Sequence, residues 1–145
     1  MRCKDVMTTL VFRCHEDDPV QKAARLMLEE EVGFIPITTG SGRLAGVITD
    51  RDLALRVLAE GKPANTPVCS VMSMEGLLTC RPDDDLRMVA RRMEDEQKGR
   101  AVVVESGQVV GVISAADLAV IEGPRRAGLL MRALAHRESA SLVRS

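Results

Sequence analysis

The sequence has almost no net charge and no long apolar run, and both absences narrow the class of protein. Its 145 residues include 20 Lys and Arg against 21 Asp and Glu, a net charge of −1, which argues against a nucleic-acid-binding or membrane-binding surface over the whole protein. No apolar segment approaches the roughly 18 residues of a membrane span, and the N-terminus leads into no signal-peptide core. We therefore expect a cytoplasmic protein with neither membrane nor nucleic-acid partners.

Cysteine pairs with zinc-binding spacing are also absent. The four cysteines are Cys3, Cys14, Cys69 and Cys80. None of them forms the C-x-x-C spacing that compact structural zinc sites favour, and a cytoplasmic location predicts reduced thiols. Cys14 and Cys80 fit small buried strand residues, although the spacing leaves a metal site or a regulatory disulfide open as alternatives.

Catalytic motifs are missing as well. The sequence has no P-loop, and neither His15 nor His136 has a neighbour in sequence that would make it a general base or a metal ligand. We therefore expect no enzymatic activity, no resident cofactor and no metal site.

What the sequence does contain is a duplication. Residues 46–54 read GVITDRDLA and residues 111–119 read GVISAADLA, with seven of nine positions identical or Thr/Ser. The two copies begin at residues 46 and 111, 65 residues apart, and a spacing of this length indicates a duplicated domain-sized unit. Two such units are expected to pack about a pseudo-twofold axis. We predict a first domain over residues 1–60, a linker over 61–67, a second domain over 68–122 and a basic tail over 123–145.

Apolar spacing predicts the same elements in both repeats. Each repeat reads strand, helix, strand, strand, helix, and the whole is an α+β fold. In the first repeat we predict strands at 11–14, 34–38 and 43–48, a helix capped by Asp17 or Asp18 with Pro19 in its first turn, and a helix over 50–60. In the second repeat we predict helices at 84–96 and 115–121 and strands at 100–105 and 108–114.

The repeated motif lies where a strand ends and a helix begins. Such a junction can hold an anion, because the N–H groups of the first helical turn are unpaired. The hydroxyl of Thr49 or Ser114 could add a donor to a phosphate, and the carboxylate of Asp52 or Asp117 could accept both hydroxyl protons of a ribose. The same spacing is also that of a helix-capping box, and the sequence leaves both interpretations open.

These features together resemble a tandem pair of CBS domains. The resemblance rests on the two Gly-apolar-apolar-Thr/Ser-x-x-Asp motifs, on residues 5–7 and 70–72, on residues 34–37 and on the order of elements, and it covers residues 3–121. It implies a regulatory sensor for an adenosine ligand, namely AMP, ADP, ATP, S-adenosylmethionine or a related compound. It also implies that each binding cleft is built from both repeats.

The resemblance therefore predicts two sets of ligand-binding residues. The first comprises Gly46, Thr49, Arg51 and Asp52, with Met72, Leu78, Lys98, Gly99 and Arg100 from the second repeat. The second comprises Gly111, Ser114 and Asp117, with Met7, Phe12, Val32 and Gly33 from the first repeat. Three cations near Asp52 predict that its cleft prefers the more highly phosphorylated ligand. Phe12 and Phe34, the only aromatic residues, could instead pack in the core.

Two other functions remain open at this stage: a ligand-free scaffold for dimerisation or protein contact, and a cysteine-based redox or metal responder. We expect a homodimer, because helix residues Leu53, Val57, Leu118 and Ile121 need apolar cover. The regulated protein partner is unknown. In the tail, five Arg and one Glu with several leucines predict a short basic helix.

Overall fold

The duplication appears as two compact units in the computed structural model, which describes residues 1–74 and 77–144, with side chains up to residue 136 in the last helix. The first-repeat unit comprises Leu10–Leu77 and Ser106–Val109. The second-repeat unit comprises Met1–Thr9, Leu78–Glu105 and the chain from Val110 onward. Residues 1–9, which begin the first repeat, pack in the second-repeat unit, and residues 68–74, which begin the second repeat, pack in the first-repeat unit. We call these two stretches the entry segments. The boundaries predicted at residues 60, 67 and 122 stay a prediction.

The first-repeat unit contains a three-stranded sheet and two helices. Its elements are β1 (Cys14–His15), α2 (Val20–Glu30), β2 (Phe34–Thr38), β3 (Leu44–Thr49) and α3 (Asp50–Asp52), which continues as a π-helix over Leu53–Leu58. Strand β2 lies between β1, which is parallel to it, and β3, which is antiparallel. A short 3₁₀ turn over Val68–Ser70 also belongs to this unit.

The second-repeat unit follows the same plan, with a short helix in place of the 3₁₀ turn and one helix added at the C-terminal end. Its elements are α1 (Cys3–Val6), β4 (Thr79–Cys80), α4 (Leu86–Glu96), β5 (Arg100–Glu105), β6 (Gln108–Ser114), α5 (Ala115–Glu122) and α6 (Pro124–Arg144). The sheet order is β4-β5-β6. The predicted α+β class and the bounds of β2, β5 and β6 are confirmed.

Each unit has its own apolar core, as the helical spacing predicts. In α2, the buried residues Val20, Ala23 and Met27 fall on one face, and they pack with Ile35 and Ile48 of the sheet. In the second-repeat unit the equivalent face of α4 is buried against Leu78, Cys80 and Ile113. Burial of these side chains is the main force that holds short strands and helices of this length together.

Several predicted element ends are wrong by a few residues. The first strand begins at Cys14 rather than Val11, because only Cys14 and His15 reach the register with β2. Pro19 is the N-cap of α2 and lies outside its first turn. Asp18 instead accepts the His15 N–H at 2.8 Å in the preceding turn. Helix α4 begins at Leu86 rather than residue 84, because the Asp85 side chain caps it by accepting the Arg87 N–H.

The C-terminal helix is longer than the short helix predicted. Helix α6 has 21 residues and packs on α4 and α5 within the second-repeat unit. Leu130 is 2% exposed, and Leu134 also packs against the core. Arg126 donates hydrogen bonds to Glu94 of α4 and Glu122 of α5. The tail side chains beyond residue 136, including that of Arg137, lie outside the described residues.

Candidate functional site

Both repeated motifs form complete capping boxes. In the first repeat, the Asp52 N–H donates to Thr49 Oγ1 at 3.1 Å, and the Thr49 N–H donates to Asp52 Oδ2 at 2.9 Å. In the second repeat, the Asp117 N–H donates to Ser114 Oγ at 3.1 Å, and the Ser114 N–H donates to Asp117 Oδ2 at 3.0 Å. Each motif therefore caps its helix and fixes the direction of a half-buried carboxylate.

Each motif lies beside the glycine that directly precedes the first strand of its hairpin, β2 or β5. The Asp50 N–H donates to the Gly33 carbonyl at 3.0 Å, and the Ala115 N–H donates to the Gly99 carbonyl at 2.9 Å. Gly33 and Gly99 thus lie next to the motif of their own repeat, and their predicted place in the cleft of the other repeat stays a prediction. The cause is the hairpin, in which the first residues of one strand lie opposite the last residues of its partner.

The candidate phosphate-binding cations belong to different units, and their predicted gathering at the Asp52 cleft stays a prediction. Arg100 Nη1 donates to the Gly99 carbonyl at 2.9 Å, and this carbonyl also receives the Ala115 N–H. Arg100 therefore lies at the Asp117 motif, in the second-repeat unit, together with the half-buried Lys98. In the first-repeat unit, the exposed Arg51 directs its backbone N–H to Asp50 Oδ1 at 2.8 Å.

Each motif glycine leaves space for a methionine of an entry segment, Met72 at Gly46 and Met7 at Gly111. A Cβ on Gly46 would lie 2.9 Å from Met72 Sδ and from the Ser73 carbonyl oxygen. A Cβ on Gly111 would lie 2.6 Å from Met7 Sδ. Real Cβ atoms do not come so close to other atoms, so both positions need glycine for the approach of Met72 and Met7.

Two other predicted ligand residues, Leu78 and Val32, take part in core packing. Leu78, which was predicted to contact a ligand at Asp52, is 1% exposed in the core of the second-repeat unit, so its side chain is occupied by packing. Val32 packs against the core of the first-repeat unit. Phe12 and Phe34 are half-buried and belong to neither core.

The second carboxylate oxygen differs between the two motifs. Asp52 Oδ1 lies 3.5 Å from Ser73 Oγ and 3.7 Å from Arg56 Nε. In the part of the chain that the structure describes, Asp117 Oδ1 has no hydrogen bond or ion pair to any side chain. Arg56 and Ser73 were not among the residues predicted from the sequence. The i,i+4 spacing from Asp52 to Arg56 was the signal that could have indicated the first of them.

The cysteines are reduced and mostly inaccessible. Cys3, Cys14 and Cys80 are buried, and Cys69 is exposed. Burial raises the pKa of the Cys3, Cys14 and Cys80 thiols above their ordinary value. Because the thiolate is the form that binds metals and attacks disulfides, these three cysteines are poorly suited to the redox or metal alternative.

Elsewhere in the first-repeat unit, His15, Glu16 and Asp17 bring one ligand atom each within 4.8 Å of one another. His15 Nδ1 already accepts the Asp17 N–H at 3.1 Å, and the group includes no cysteine and no motif residue. The predicted absence of a metal site stays a prediction. Over the described residues, every helix is too short or too polar to cross a bilayer.

A family model and a curated relative both identify the chain as a CBS domain protein. The sequence model of the CBS domain matches the chain twice, at residues 3–59 and 68–121. The CBS domain-containing protein YhcV of Bacillus subtilis is 40% identical over 117 residues, which are 81% of this chain and 82% of that protein. The family-model match and the alignment with YhcV both cover far more of the chain than the two short motifs.

Solved structures show the same fold. The crystal structure of Hypoxic Response Protein I with two coordinated zinc ions has a TM-score of 0.75 and 27% identity, covering 83% of this chain and 98% of that one. The CBS domain pair of protein MJ0100, in complex with 5′-methylthioadenosine and S-adenosyl-L-methionine, has a TM-score of 0.74 and covers 84% of this chain and 95% of that one. At 23% identity, the second similarity establishes the fold alone.

Proposed function

Because the chain belongs to the CBS domain family, we propose that it is a regulatory module that binds an adenosine-containing ligand. AMP, ADP, ATP and S-adenosylmethionine-like compounds are the candidates, and the bound module acts on a protein partner. The observation that carries this proposal is the Asp117 carboxylate. One of its oxygens is held by the Ser114 N–H at 3.0 Å, so the group is oriented, while its second oxygen remains available within the described residues.

The groups around Asp117 suit the parts of a nucleoside phosphate. A carboxylate oxygen accepts a hydrogen bond from a ribose hydroxyl, and bonds to a charged acceptor are the strong ones. Ser114 Oγ accepts the Asp117 N–H, which leaves its own proton to donate to a ligand oxygen. Arg100, at the Gly99 carbonyl, supplies a cation for a phosphate. These residues, with Lys98, Gly111 and Met7, form our proposed second-repeat site.

The first-repeat motif supplies the corresponding second site. Its proposed residues are Gly33, Gly46, Thr49, Arg51, Asp52 and Met72. Thr49 and Asp52 repeat the geometry of Ser114 and Asp117 to within 0.1 Å in both capping hydrogen bonds. The complex of the MJ0100 CBS pair with two adenosine compounds supports this class of ligand. The participation of Phe12 and Val32 stays a prediction.

The experiment that tests the function is calorimetry with AMP, ATP and S-adenosylmethionine on the wild type and on Asp117→Asn. The amide keeps an oxygen for the Ser114 N–H but lacks the charge. We expect affinity at this site to fall by about 1.5–3 kcal/mol, the scale for hydrogen bonds to a charged group. Asp95→Asn, an exposed carboxylate of the same unit, is the control. If Asp117→Asn binds as tightly as the control, Asp117 only caps its helix.

The ligand-free scaffold is the second candidate, and two exposed leucines favour a dimer in either case. Two of the residues expected to need cover do not, because Leu118 is 0% and Val57 8% exposed in their own units. Leu28 and Leu58 in the first-repeat unit are 78% and 80% exposed. Leu28 occupies the repeat position of Glu94, where α6 covers the second-repeat helices. We propose that a second copy of the chain covers Leu28 and Leu58.

Sedimentation velocity at micromolar concentration tests the dimer. We expect the wild type to sediment as a dimer and the double variant Leu28→Glu/Leu58→Glu as a monomer, because charges would be buried against apolar groups. Leu10→Glu is the matched control, since Leu10 is 72% exposed and lies outside the two helices. A monomeric wild type would remove the dimer from the proposal.

A further inference from the structure

The two repeats share a backbone frame at the motif but differ in the side chains around it. The Ser73 N–H donates to the Val47 carbonyl at 2.8 Å, and the Thr8 N–H donates to the Val112 carbonyl at 2.9 Å. The entry segment therefore pairs with the motif strand in the same way in both units. Differences in how the motif carboxylates are used must come from side chains and from the helix that follows.

Arg56 is the side chain that distinguishes the first motif. Its Nε lies 3.7 Å from Asp52 Oδ1, and its Nη1 donates to the Val71 and Met72 carbonyls at 3.3 and 3.4 Å. The guanidinium thus joins the motif helix to the entry segment across the Asp52 carboxylate. The equivalent residue in the second repeat is Ile121, which has no charge with which to bind Asp117.

The helix type differs at the same place. After Asp52 the chain continues as a π-helix over Leu53–Leu58, with the Ala59 N–H donating to the Ala54 carbonyl. The second motif is followed by the regular α5. A π-helical turn is uncommon and occurs frequently at functional sites. It is a second difference between the repeats, and it includes Arg56.

We propose that Arg56 is a latch that holds the Asp52 carboxylate when no ligand is bound, so that the two motifs of one chain bind adenosine ligands with unequal affinity. A ribose hydroxyl that approaches Asp52 Oδ1 must displace Arg56 and Ser73, whereas Asp117 offers the same oxygen without a competing side chain among the described residues. The Asp117 site therefore fills first. This inference rests on the proposed function, and it makes Arg56 a positioning residue that acts through Asp52.

The expected size of the effect follows from exposure. The Arg56 side chain is 52% exposed while that of Asp52 is 13% exposed, so solvent screens the pair from one side. Half-exposed pairs of this kind contribute at most about a fivefold change in an equilibrium. The latch therefore sets an order of filling and does not close the site.

The test is a reciprocal exchange of the two repeat positions, read by calorimetry with AMP and S-adenosylmethionine as probes. Arg56→Ile in an Asp117→Asn chain is expected to tighten binding at the Asp52 site by roughly three- to fivefold. Ile121→Arg in an Asp52→Asn chain is expected to weaken the Asp117 site by a similar factor. Arg25→Ile is the matched control, because Arg25 forms an exposed i,i+4 pair with Glu29 away from both motifs.

A spectroscopic readout separates a latch from a purely structural role. In a titration followed by ¹H–¹⁵N NMR, the Arg56 Nε–H resonance should reach half of its shift at a roughly three- to fivefold higher free probe concentration than the Ser114 N–H resonance, which reports the Asp117 site. The Arg25 Nε–H resonance should stay in place throughout. An Arg56 resonance that does not respond at saturation would overturn the latch.

The outcomes distinguish the latch from the function beneath it. If the probes bind and Arg56→Ile changes the affinity at Asp52 by less than twofold, the latch is wrong and the proposed function stands. Two sites of equal affinity in the wild type would likewise overturn the latch and leave the function in place. If no probe binds the wild type or either exchanged variant, the proposed function fails and the latch fails with it.

Discussion

Replacing Arg126 by methionine is predicted to weaken the attachment of the C-terminal helix to the second-repeat unit. Arg126 Nε donates to Glu122 Oε2 at 2.6 Å, and its Nη1 donates to Glu94. The three side chains are only 16–18% exposed. The hydrogen bonds to Glu122 and then Glu94 raise the pKa of Arg126 above its ordinary value, so the guanidinium stays charged at any practical pH.

The magnitude follows from what the substitution leaves behind. Methionine fills part of the volume but leaves two mostly buried carboxylates near each other without a cation. Breaking a buried ion pair from one side costs about 3–5 kcal/mol. Since one-sixth of each side chain still reaches water, we expect the lower end, a loss of about 3 kcal/mol in the free energy of unfolding.

Urea unfolding followed by far-ultraviolet circular dichroism measures this loss. Arg125→Met is the control, because Arg125 is the exposed neighbour on the same helix and its loss should cost less than about 0.5 kcal/mol. Adding Glu94→Gln and Glu122→Gln to Arg126→Met should restore much of the stability, because the stranded charges are then gone.

Unfolding of Arg126→Met and Arg125→Met at the same urea concentration and with the same slope would refute this prediction. The cluster would then contribute no more than an ordinary surface ion pair. A triple variant that is less stable than Arg126→Met alone would also contradict it, because it would show that charge burial is not the source of the loss.

Two further predictions concern titration and thiol access. Burial opposes ionisation of Asp18, but the His15 N–H and Lys22 outweigh it and hold its pKa below the ordinary 3.8. The stability that Asp18 contributes is therefore present above pH 3.8 and is lost as the pH falls through the depressed pKa. The urea-unfolding free energies of wild type and Asp18→Asn should therefore differ above pH 3.8 and converge as the pH falls below it. Ellman's reagent should titrate one thiol in the native chain, the exposed Cys69, and all four after unfolding; rapid reaction of a second thiol would contradict the burial.

Much of this architecture could be predicted from local pattern. Residues 34–38, 100–105 and 108–114 form strands within the predicted bounds, because apolar runs bounded by turn residues carry their own signal. The capping boxes at Thr49 and Ser114 depend on residues three apart, so the motif predicts both hydrogen bonds. The duplication predicted the matching order of elements in the two repeats.

What the sequence did not predict depends on contacts between residues far apart in the chain. The first strand is two residues long because pairing with β2, and not strand propensity, sets its ends. Arg100 lies at the Asp117 motif because the hairpin brings the start of β5 to the end of β6. The inequality of the two aspartates comes from Arg56 and Ser73, which reach Asp52 from 4 and 21 positions away. Two nearly identical motifs thus acquire different surroundings, because side-chain packing depends on neighbours that a local repeat does not specify.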